Sequence, residues 1–375
     1  MGWPLVAQAQ SRPGVRGRLW LVGCGAALAE VKSCSSDHVL ARQMLECHIQ
    51  PGYNAVQAKA AMLKSTLAQA CAAHDGAALG AVRSAYRDAL LAWSHVEHLR
   101  FGPVVDDNIF ERIVFWPDRQ GIGVRQVRKI LAAKDASATD VASLHKKSVA
   151  VQGYTALEVL LYGKVSDQLM ADNPAGRHAC GYATAIASNV STMIDDVVAG
   201  WSAGGKFASL WLTPGEHNPV YKTASDTTYE ALKSYRFAIN IPREQKLLPA
   251  LGLKRHGASG PYLPKTKPPF TISGLGMSTI IANTEAAIEL VEQGGLAERL
   301  AVKEPETADL IKSELQNVLR IMREVEGLGN AAFEEPAAKK LALAREPFIS
   351  ALIAGGEALA TDCGMVLGFS DEDGD

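Results

Sequence analysis

The sequence predicts an all-α protein built of two packed helical bundles, and three observations carry that expectation. Alanine is abundant, while alternating runs of β-branched residues are scarce. Long segments repeat apolar residues at helical spacing. In YRDALLAWSHVEHLRFGP, Tyr86, Leu90, Trp93, Glu97 and Phe101 fall on one helical face. Finally, the chain has 375 residues, 47% hydrophobic and 21% charged, which suits a packed core and is long enough for two ordinary domains. A formal net charge of −2, with no basic stripe interleaved with aromatics, argues against a nucleic-acid partner. No apolar run reaches the length of a membrane span, so no transmembrane helix is expected.

The elements follow in order. Residues 1–36 read as a signal or disordered segment: arginines without acids, then LWLVGCGAALAEV, with Ala27-Leu28-Ala29 in the small-x-small form of a secretory cleavage site. LVGC has the form of a lipobox around Cys24, which allows a lipid anchor. Asp37 is placed as the N-cap of HVLARQMLECHI, a helix that Pro51-Gly52 is expected to break. YNAVQAKAAMLKSTLAQACAA is amphipathic, and the helix holding Glu97 runs until Gly102-Pro103. IFERIVFW stops at Pro117; GIGVRQVRKILAA, DVASLHKKSVAVQG, GYTALEVLLYG and YATAIASNVSTMIDDVVAGWS complete a first bundle at 37–204. Gly and Pro residues between Ala203 and Thr223 mark a junction. The second bundle, 205–375, contains TTYEALKSYRFAINIPREQKLLPAL, a Pro/Gly/Lys loop and three further helices before the acidic tail.

The six cysteines show no CxxC or Cys/His zinc spacing. Cys71 ends an early helix and Cys180 begins a later one. A Cys71–Cys180 bridge is one reading, and two small buried residues the other. His95 and His98 lack the i, i+4 spacing of zinc helices and point away from Trp93, so they read as solvated.

Two carboxylates stand in apolar company: Glu97, in line with Trp93, and Glu158, among Leu157, Val159, Leu160 and Leu161. Such groups are costly to bury unpaired. An arginine (Arg112 or Arg119) could clamp them, they could share a proton, or they could coordinate a cation.

The segment AWSHVEHLRFGPVVDDNIFERIVFWPDRQGIGVRQV, the GYTALE stretch and the terminal GFSDEDGD resemble the imelysin-like family, more narrowly its periplasmic lipoprotein branch. The likeness runs from about Asp37 to the C-terminus. It implies two helical bundles, an exported, periplasmic location and a link to iron uptake; the cofactor is left open, with iron or another divalent cation as the candidate, and envelope iron-uptake proteins are candidate partners beside a metal ion or small ligand. Some members were named peptidases for a G-x-H-x-x-E motif. Here Gly153 and Glu158 match that motif, but Thr155 stands where the family has histidine, and threonine cannot replace a neutral imidazole as a zinc or iron ligand. The expectation is therefore a binding or accessory protein with metal ligands Glu97 and Glu158. Its pocket between the bundles would be completed by Trp93, Arg112, Trp116, Asp118, Gly153 and Thr155. A metallopeptidase and a non-catalytic envelope scaffold are the alternatives.

Overall fold

The structure, a computed structural model, describes residues 37–118, 120–253, 265–301 and 304–362. The expected export signal, Cys24, Cys34, Cys363 and Arg119 lie outside these residues. The described chain is helical and contains no strand.

Helix α1 (Asp37–Met44) passes through a π-helical turn, Leu45–Ile49, directly into α2 (Gln50–Ala73). The expected break at Pro51-Gly52 is thus absent. The wide turn bonds Gln50 N to Leu45 O, and proline at the start of the next helix needs no donor of its own. Gly52 serves packing: a Cβ there would lie 2.8 Å from Val96 Cγ1 of the next long helix. Asp37 does not simply cap α1. Its carboxylate accepts from Thr228 Oγ1 (2.9 Å) and from Arg299 (2.6 Å) in the second half of the chain.

Helix α3 (Leu79–Val96) ends just before Glu97, and the short α4 (Ile109–Ile113), α5 (Ile122–Ala133) and α6 (Val141–His145) lead to α7 (Gly153–Tyr162) and the long α8 (Pro174–Trp201). Helix α2 packs between α3 and α8, with α7 also against α8. The Cys71–Cys180 disulfide forms, with a Cα–Cα distance of 5.7 Å, and joins the end of α2 to the second turn of α8 across 109 residues. A loop that long constrains the unfolded chain by about 4–5 kcal/mol on chain-entropy reasoning.

The segment read as a junction holds a helix, α9 (Lys206–Leu212). Trp211 on it is fully buried. Its ring stacks on Phe101 at 5.1 Å and meets Trp201 edge-on at 6.2 Å, and its indole N–H donates to Ala41 O (2.6 Å). The reason is composition: KFASLWL carries too much apolar surface to remain a solvated linker.

Helix α10 (Ala224–Asn240) opens with a capping box between Thr223 and Asp226. It runs through a second π turn, Ile241–Leu247, which contains Pro242, into α11 (Leu248–Leu251). Then come α12 (Gly276–Gln293), α13 (Leu296–Ala301), α14 (Pro305–Arg323), α15 (Ala337–Ala342) and α16 (Arg345–Asp362). Helix α12 is apolar on most sides and lies against α3, α10 and α14, so it joins the early helices to the late ones.

Candidate functional site

Both motif carboxylates are buried, Glu97 at 6% and Glu158 at 5% exposure. Each turns toward the α12 region, but at different places. Glu97 Oε2 accepts from Lys246 Nζ at 2.6 Å and from Asn283 Nδ2 at 3.0 Å. Lys246 also donates to Asn283 Oδ1 (2.7 Å), and Asn283 donates to Ser94 O (2.6 Å). Burial pushes Glu97 upward, yet the charge of Lys246 and the hydrogen bonds from Lys246 and Asn283 outweigh it and hold the carboxyl below its usual range. Burial likewise draws Lys246 below the usual lysine range, opposed by Glu97. The pair is ionic and closed.

Glu158 Oε1 accepts from the backbone N–H of Ser273 (2.8 Å) and from its hydroxyl (2.7 Å). Here burial prevails over those hydrogen bonds and raises the carboxyl above its usual range. Ser273 precedes the first residue of α12 by three positions, whereas Asn283 lies about two turns inside that helix. Among the described residues no hydrogen bond or ion pair joins the two glutamates.

Arg112 is not their counter-ion. It donates to Asp107 O (2.7 Å) and His145 O (2.6 Å) and pairs with Asp107 Oδ1 (3.2 Å). Asp118 is spent on the start of α5, accepting from Ile122 N (2.7 Å) and Gly123 N (2.8 Å). Trp93 is buried against Phe110 at 5.6 Å with its indole N–H unpartnered, and Trp116 packs half-buried on the core. Thr155 Oγ1 accepts from Phe115 N (3.4 Å). Gly153 has φ +71, and a Cβ there would lie 2.1 Å from Arg112 O, so the motif glycine lets α7 press on the backbone at the end of α4.

A metal ion does not fit between these residues. The ammonium of Lys246 occupies the charge of Glu97, Thr155 holds a backbone amide, and Glu158 alone is one ligand. No three His, Cys, Asp or Glu side chains among the described residues are grouped so as to hold a metal. The two carboxylates expected as a ligand pair thus have separate protein partners, Lys246 and Asn283 for Glu97 and Ser273 for Glu158.

The solvated reading of His95 and His98 is corrected by their burial. His98 is 2% exposed, and its Nε2 lies 2.9 Å from Nε2 of buried His48 on the first π turn. One ring donates and the other accepts. Burial lowers His48 to about 4 and carries His98 well below the usual range. His95 is half-buried and bonds Glu289 Oε2 (3.3 Å), with Glu285 Oε2 at 3.7 Å. Burial opposes its protonation, but the hydrogen bond and charge of Glu289 win and raise it. A small cleft of about 30 Å³ lies between His48, His95, Glu289, Gln293 and Cys47.

Sequence reasoning missed Lys246, Ser273, Asn283, His48 and Glu289. Asn283 was legible, since it stands in helical register with buried Ile280, Ala287 and Leu290. Lys246 was hidden by the π turn, which shifts the register after Pro242.

The fold has solved relatives. An imelysin-like protein from Psychrobacter arcticum 273-4 superposes with a TM-score of 0.72 at 18% identity, covering 90% of this chain and 98% of its own. A candidate iron-regulated protein A precursor from Parabacteroides distasonis ATCC 8503 gives 0.67 at 13% identity, covering 87% and 94%. No curated protein matches the chain in sequence. The sequence pattern of imelysin, Peptidase M75, matches residues 49–346, and the chain therefore belongs to the imelysin family.

Proposed function

We propose that this protein is an exported, non-catalytic accessory protein of iron or other metal uptake, working through protein or small-ligand contacts in the cell envelope. The observation that carries the reading is the use made of the motif carboxylates. Glu97 is neutralised by Lys246, and Glu158, its Oε1 held by Ser273, belongs to no group of three His, Cys, Asp or Glu side chains among the described residues that could hold a catalytic metal. Membership of the imelysin family and the naming of one solved relative as iron-regulated support the link to metal uptake. The Ala27-Leu28-Ala29 segment supports export. A metallopeptidase of the imelysin type is the competing reading, and Thr155 at the position of the motif histidine weighs against it.

The experiment is fractionation of the native host under iron-replete and iron-limited growth. Metal analysis and a peptide-library cleavage assay are then run on the recovered protein, with and without chelator. Accumulation outside the cytoplasm on iron limitation, with no chelator-sensitive cleavage, is the expected result. Stoichiometric zinc together with cleavage lost in Glu158→Gln establishes the peptidase instead.

A further inference from the structure

The Cys71–Cys180 disulfide is not enclosed by the core it braces. Both residues line a surface groove of about 360 Å³, a volume in the range of small-molecule sites. Thr139, Ser188, His74 and Arg177 also line the groove. The two sulfurs are unequal. Cys180 is 3% exposed and covered by Met170, whose Sδ lies 3.6 Å from its Sγ, whereas Cys71 is only half-buried. Arg177 stands one helical turn before Cys180 on α8 and pairs with the exposed Asp172, and His74 Nε2 lies 3.6 Å from the same carboxylate. An accessible disulfide in a cleft with a guanidinium at its mouth meets the two requirements of exchange, a path to one sulfur and an electropositive approach.

We propose that Cys71–Cys180 is a thiol-exchange site for a small anionic thiol, a cysteine-containing peptide carrying free carboxylates. The thiolate of the incoming thiol bonds to Cys71 Sγ. The Cys71–Cys180 bond breaks, its electron pair passes to Cys180 Sγ, and that sulfur takes a proton from groove water. One disulfide is consumed and one formed, so the exchange needs no further oxidant. A second molecule of the same thiol attacks the mixed disulfide, releases its own dimer and leaves both cysteines reduced. Arg177 draws the carboxylates of the thiol to the groove; Asp172 works against it.

The test uses the folded full chain with reduced glutathione as the anionic thiol and 2-mercaptoethanol as the neutral one, trapped by acid and read by peptide mass spectrometry. The expected adduct is on Cys71, formed without denaturant and with the near-ultraviolet circular dichroism of the folded protein retained. Arg177→Gln should slow glutathione about 2–5-fold, and Asp172→Asn should speed it by a similar factor. Each should change the rate with 2-mercaptoethanol by a smaller factor, because its attacking thiolate carries one negative charge and no carboxylates. Both substitutions are at exposed rim positions, so the fold is not at stake. A disulfide that reacts only after unfolding, an adduct on Cys180, or variants that shift both thiols equally would overturn the proposal.

Discussion

Lys246 Nζ lies 2.6 Å from Glu97 Oε2, a buried ion pair that joins the π turn after α10 to the end of α3. Taking two charges out of water offsets most of their attraction, so the intact pair adds little net stability, but removing one partner strands the other. Lys246→Met should therefore destabilise the fold by about 3–5 kcal/mol in urea unfolding, and Glu97→Leu combined with Lys246→Met should recover much of that loss. Glu97 is held below its ordinary value of 4.5. It binds fewer protons folded than unfolded, so its contribution is complete above about 4.5 and is lost as pH falls. Equal stability of wild type and Lys246→Met would remove the pair from this role.

The buried histidines act in a higher pH window. Burial lowers His48 from 6.5 to about 4, so between those values the unfolded chain binds more protons than the folded one. Stability from His48 is complete above 6.5 and should fall by about 3 kcal/mol as pH drops to 4. His98 adds to the same slope. His95 opposes it: raised by Glu289, with Glu285 beside it, its contribution is complete below 6.5 and is lost as pH rises through its folded value. Melts from pH 4 to 8 should show a shallower acid slope in His48→Gln, whereas His95→Gln should keep the acid slope and lose the decline above about 6.5.

Gly153 tests the contact between α7 and α4. Gly153→Ala should cost about 3 kcal/mol or more, because its Cβ would meet backbone oxygen 2.1 Å away. Gly121 also has positive φ, +63, but faces open space, so Gly121→Ala should cost only about 1 kcal/mol. Equal losses in thermal unfolding would mean that left-handed strain alone, and not the close approach, sets the requirement.

Glu158 is predicted to be replaceable. Glu158→Gln keeps an acceptor for Ser273 and abandons no buried cation, so chemical denaturation should find it within about 1 kcal/mol of wild type at neutral pH. Ser273→Ala removes the hydroxyl from a buried carboxylate and should cost about 1–3 kcal/mol. Since burial raises Glu158, its contribution is complete below 4.5 and is lost as pH rises through the folded value. The glutamine variant should lose that dependence. A large loss in Glu158→Gln at neutral pH would point to a charged partner.

The sequence by itself determined the helical class, the faces of the long helices and the burial of Glu97 and Glu158, because apolar periodicity over many residues fixes which side of a helix leaves water. It also brought Cys71 and Cys180 into consideration as a pair. It did not determine what the buried carboxylates meet. Lys246 and His48 sit on π turns, and each such turn shifts the register that periodicity relies on; the proline that looked like a stop is what the wide turn accommodates. Arg112, near Glu97 and Glu158 in sequence, is drawn instead to Asp107 and two carbonyl oxygens, while residues more than a hundred positions away reach both glutamates. Partner choice among buried charges depends on which helices lie side by side, and α12 settles that by packing between the early and late helices. A local pattern records which face is buried; only the packed structure decides against what.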